Sequence, residues 1–161
     1  MIGLSALLAR YLELVTGATF ETQSDASPVP AGLGAIHLGE TREASKSPLN
    51  LPDVRYGRDT FPNLNGYLVR TTDSRTLTIR GLTDNAVRAG VVGFLRRYVG
   101  VRQYWLSEPG GPGETLPRRP SLRLPEVEWS DWPYWYSRVL SQGRSLMPGS
   151  RNTIMLNFAR T

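Results

Sequence analysis

The chain's only histidine, His37, lies in a glycine-rich context, L-G-A-I-H-L-G-E. A histidine can carry protons near neutral pH, and with a serine and a carboxylate it can activate a nucleophile. No nucleophile motif such as G-x-S-x-G accompanies it. Glu126 and Glu128 share one face of an extended stretch, with Asp131 near. Paired carboxylates can do acid–base work or hold a divalent ion. The same pattern makes an acidic strand edge that blocks pairing or bridges to arginine, and we expect the edge. One histidine and no cysteine make a poor transition-metal donor set. The glycine-rich stretches at 28–35 and 108–114 contain neither a phosphate-cradling loop nor a dinucleotide fingerprint, and read as loops. The expectation is therefore no catalytic residue, no metal site and no cofactor.

Charge is the second source of chemistry. The 161 residues carry a net +5. Residues 1–50 hold Arg10, Arg42 and Lys46 against Glu13, Glu21, Asp25, Glu40 and Glu43, a balance of −2, so the remainder is +7. Lys46 is the only lysine. Arginine makes planar two-pronged contacts with carboxylate or phosphate, which suits protein interfaces as well as nucleic acid. Arg118, Arg119 and Arg123 cluster beside prolines and are candidate phosphate contacts. No nucleic-acid motif and no interleaved aromatic residue supports them, so nucleic acid is not expected as the primary partner.

The third source is aromatic. Trp129, Trp132, Tyr134, Trp135 and Tyr136 crowd into eight positions, with Arg138 beyond. On a strand, Trp132, Tyr134 and Tyr136 face one side and Trp135 the other. A sheet with one wet face does not put large aromatics on both sides. Either both faces are covered within the chain, or a neighbour covers one. Trp, Tyr and Arg anchor protein interfaces. These six residues, Trp129, Trp132, Tyr134, Trp135, Tyr136 and Arg138, are the candidate subunit interface.

The elements that position these groups follow from periodicity. Leu4, Leu7, Leu8, Tyr11, Leu12 and Val15 recur at helical spacing and Gly17 ends the run, predicting an amphipathic helix over 2–16. It lacks a basic leader and reads poorly as a signal peptide. No run approaches the length of a membrane span. Residues 22–51 show no sustained period and are punctuated by Pro28, Pro30, Gly32, Gly34, Gly39 and Pro48. Such a long segment reads as an arm that orders against a partner, or as plain flexible chain. Asn65-Gly66 signals a turn, 67–70 a strand and 71–74 a turn. Leu77 and Ile79 alternate with Thr76, Thr78 and Arg80, the period of a half-buried strand. Thr83 then caps a helix over 84–98 whose Val87, Val91, Phe94, Leu95 and Tyr98 share one face, and Gly100 closes it. Gly90 and Gly93 inside that helix mark either close approach to a sheet or tolerated loss on an exposed face. Further strands are expected at 101–106, 134–141 and 153–159, with 122–128 extended. The predicted class is α+β: a largely antiparallel sheet or barrel with one helix inserted between strands, an N-terminal helix (1–17), a long extended arm (18–52) and a β-rich domain (53–161).

The order V-R-Y-G-R-D-x-F at 54–61, the strand with Leu77 and Ile79, Gly81-Leu82-Thr83, the helix ending F-L-R-R-Y-V-G at 94–100 and then Y-W-L-S-E-P at 104–109 resembles small minor tail proteins of tailed bacteriophages, of the lambda-type minor tail protein M kind. Trp129 matches that family's late strand tryptophan. The likeness covers about half the chain, over roughly 53–136. The opening lacks the family's second glycine, and the compact family has neither the N-terminal helix nor the arm. Those additions resemble tail terminator and tail-completion proteins of the neck. Either resemblance implies a ring-forming, non-enzymatic virion part, made in the host cytoplasm. Its partners would be copies of itself and other tail or neck proteins, with no membrane.

Overall fold

A computed structural model describes residues 3–104 and 108–132. Within them the chain is α+β, with two helices, a four-stranded mixed sheet and two small hairpins. Helix α1 (Leu4–Thr16) forms as its apolar spacing predicts and buries Leu8, Tyr11, Leu12 and Val15. Burying these four side chains stabilises the docked helix by about 1.5–3 kcal/mol each. Gly17 ends it in the left-handed region, at φ 76°, and returns its N–H to the Glu13 carbonyl. The helix packs on the chain's own core.

The main sheet runs β1 (Ala35–Leu38), β5 (Thr76–Gly81), β4 (Tyr67–Asp73), β8 (Glu128–Asp131). β4 pairs antiparallel with β5 and β8, while β1 runs parallel to β5. The sheet is thus mixed and open, so the barrel alternative is not what these residues form. β2 (Val54–Tyr56) and β3 (Asp59–Phe61) make a separate hairpin over the V-R-Y-G-R-D motif. The turn expected at 71–74 falls slightly later, because β4 runs on to Asp73, whose carboxylate accepts the Arg75 N–H at 2.7 Å.

Helix α2 (Asp84–Phe94) starts where Thr83 Oγ1 accepts the Ala86 N–H at 3.2 Å. The expected helix over 84–98 changes pitch at its end: Leu95–Val99 form a π-turn closed by Gly100, whose N–H donates to the Leu95 carbonyl at 2.8 Å. The wider turn keeps Leu95 and Val99 buried while Arg96 and Arg97 stay exposed. Gly90 and Gly93 have a physical reason. A Cβ on Gly90 would lie 2.7 Å from Ile79 Cγ2, and one on Gly93 2.7 Å from the Tyr67 hydroxyl and 2.8 Å from the Trp129 ring. The helix touches the sheet there, so the close-approach reading is correct.

Leu77 and Ile79 of β5, Tyr67 and Val69 of β4, and Trp129 of β8 face the core shared with both helices. The opposite face departs from expectation. Thr78 and Arg80, placed by alternation on a wetter side, are 4% and 6% exposed. Residues 39–47 cover them, so β5 is buried on both faces. Of the strand expected over 101–106, β6 (Arg102–Gln103) forms and pairs antiparallel with β7 (Glu114–Thr115), while residues 105–106 lie outside the described residues. The expected strands 134–141 and 153–159 lie outside the described residues.

Candidate assembly surface

The groups that could do catalysis are not brought together. His37 sits on β1 with Nδ1 4.0 Å from Asp25 Oδ1. Glu126 and Glu128 are exposed at β8, the opposite edge of the sheet. Three inter-strand spacings separate those edges, about 14 Å. Glu128 instead pairs with Arg70 at 3.5 Å, as an acidic edge does. Among the described residues no three His, Cys, Asp or Glu side chains gather as a metal site.

The aromatic set divides. Trp129 packs inward, partly buried: its ring meets Tyr67 edge-on at 5.3 Å and Tyr98 at 6.4 Å, and the Arg97 guanidinium lies 4.7 Å from its centroid. Burial, then the charge of Asp131, holds the Tyr67 phenol well above the usual tyrosine range. Trp132 remains 41% exposed just past β8. Tyr134, Trp135, Tyr136 and Arg138 lie outside the described residues. Of the candidate interface, then, Trp129 serves the chain's own core and Trp132 faces outward.

The arginines also divide. Arg119 is built into the fold: its N–H donates to the Val15 carbonyl at 2.8 Å and its Nη1 to the Tyr98 carbonyl at 3.2 Å. Arg102 Nη1 donates to the Arg96 carbonyl at 2.6 Å. These cations satisfy carbonyls at the negative end of α2 and its π-turn. Arg118 and Arg123 are exposed and make no ion pair among the described residues.

The larger surface feature is the segment read as an arm. Residues 17–34 are exposed without exception, including Phe20 at 36%, Val29 at 40% and Leu33 at 60%. Residues 35–47 are different, and the expectation of an irregular arm through residue 52 is corrected there. β1 pairs with β5 in register from Ala35–Thr76 to Leu38–Ile79. Beyond it, Arg80 donates from Nη2 and Nε to the Glu40 carboxylate at 2.8–3.1 Å, and from Nη1 to the Ser47 carbonyl. A four-residue strand between glycines has too little period to announce itself, and its partner is 41 positions away. The signal for the clasp was Glu40 and Arg80 as an opposite pair, which sequence cannot place together.

Both sheet edges are open among the described residues: no strand pairs with the outer side of β1 or of β8. Thr71 N–H donates to the Val127 carbonyl, so the ladder's alternation turns the backbone groups of Glu128 and Ser130 outward. Open edges of this kind template pairing with another chain. Comparison with protein-family models, with curated proteins and with solved structures finds no match. No described helix is long and apolar enough to cross a membrane.

Proposed function

We propose that this chain is a non-enzymatic structural subunit that assembles into a ring of a bacteriophage tail, at the tip or tube end, or at the neck as a terminator or connector. The observation that carries the assembly half of this reading is the surface segment 17–34, which presents Phe20, Val29 and Leu33 to solvent and runs directly into an open sheet edge. Two different open edges on one sheet join head to tail, which closes into a ring when the rotation per copy allows. Exposed Trp132 lies beside the second edge. The tail half of the reading rests on the resemblance of residues 53–136 to small minor tail proteins.

Mass photometry of the full chain over a concentration series tests it. A single defined multiple of the 17.9 kDa chain is expected. A monomer at every concentration and salt level would sink the proposal.

The exposed Arg118 and Arg123 support a second reading, a basic nucleic-acid-binding module. Its affinity should fall steeply with salt and collapse when Arg118, Arg119 and Arg123 are replaced. No binding at low salt removes it.

A further inference from the structure

Helix α1 is tied to the body by a long loop with nothing buried in it. Its own anchorage is specific. Leu8, Tyr11, Leu12 and Val15 enter the core. Tyr11 donates to the Glu114 carboxylate, Gln103 Nε2 donates to the Tyr11 hydroxyl at 2.7 Å, and Arg119 N–H reaches the Val15 carbonyl. The helix therefore has one defined seat, formed by the π-turn, the β6–β7 hairpin and the segment at 110–119. The connection from that seat to β1 is residues 17–34, every one of them exposed. Asp25 ties it to the following segment, accepting the Arg42 N–H at 2.8 Å and standing 4.0 Å from His37.

We propose that α1 is an exchangeable element: in the assembled state it occupies the seat of a neighbouring copy, whose own helix passes on in turn. Exchange of an identical element is a low-cost route to association, because every contact of the closed chain is remade between chains. Eighteen residues at about 3.3–3.6 Å each reach roughly 60 Å, ample to span to a neighbour. A flexible tether of this length sets an effective concentration for the self-docked helix on the order of millimolar, which neighbours held in a ring can match. Phe20, Val29 and Leu33, uncovered in the closed chain, then lie between two copies. The proposal rests on the assembly reading and adds to it the element exchanged and the seat that receives it.

The absence of cysteine makes placed thiols unambiguous. Thr16→Cys and Arg118→Cys flank the contact between Val15 and Arg119. The double variant, folded dilute, should be linked within one chain by a short bismaleimide. The two single variants, unfolded together and refolded at high concentration, should give a linked pair of chains whose yield rises with concentration. Deleting residues 20–31 should lower the concentration needed by about tenfold, because the shortened tether strains self-docking. Linking within the double variant with no linked pair from the mixture at any concentration overturns the exchange. So does an oligomer that forms normally without the 16–118 link, and that result leaves the assembly reading standing. A double variant that fails to link within itself overturns the seat on which the exchange depends.

Discussion

Residues 17–34 and residues 35–48 both lack a sustained apolar period, yet one lies wholly on the surface while the other adds a strand to the sheet and covers one of its faces. Periodicity does not separate them; available partners do. The second half finds the unpaired edge of β5, where Ala35 N–H donates to the Arg75 carbonyl and Gly39 N–H to the Ile79 carbonyl, both at 2.8 Å. It then meets Arg80, a buried cation that demands acceptors. The first half meets no such demand. Order in a low-period segment is set by what the rest of the chain leaves unsatisfied.

Substitutions along the chain on either side of that divide sharpen it. The largest effect is expected just before the arm. Leu12→Ala empties a fully packed site and should destabilise by about 2–5 kcal/mol in urea unfolding. Just after the arm, Glu40→Ala leaves the Arg80 guanidinium without its carboxylate and should cost about 2–3 kcal/mol, discounted because Glu40 itself is half exposed. Arg80→Met should cost less than Glu40→Ala, since it leaves no charge behind in the interior. The reverse order would place the energy in packing of the arginine stem and break the clasp account.

A pH experiment separates α1 from the arm it precedes. Burial first, then the hydrogen bond to Glu114, raises the Tyr11 phenol in the fold. A raised folded value means the contribution is complete below the unfolded tyrosine value of about 10 and is lost as pH rises through the higher folded value. Alkaline solution should therefore loosen the helix, and Tyr11→Phe should make stability flatter above that pH, with Tyr67 supplying the remaining slope. Equal slopes in both proteins would break the assignment. The smallest effect belongs inside the arm. Leu33→Ser should change monomer stability by less than about 0.5 kcal/mol while reducing the assembled fraction in light scattering.

Much of the fold was legible because it is local. The apolar stripe of α1, the Thr83 cap, the stripe of α2 and the Gly100 stop all arise from residues within a turn or two of each other. β4 and β5 were legible as a short-range antiparallel pair. β1 was not, because its parallel partner is distant and its four residues carry no alternation in burial. Arg80 was misplaced for a related reason. Alternation tells which side of a strand a residue takes, not whether that side is covered. Of the candidate surface, the aromatic cluster was visible but not its division, which depends on Gly93 leaving room for the Trp129 ring. The exposed half of the arm was legible as a segment without period, and its apolar side chains were not singled out.

That room beneath α2 has a mechanical result. The indole of Trp129 is wedged where Gly93 lacks a side chain, and four backbone pairings bind its strand to β4. A load directed along β8 from beyond Asp131 would be met as shear across that registered ladder, with a bulky ring for a stop. Along that direction the ring acts as a bolt between the edge strand and the centre of the molecule.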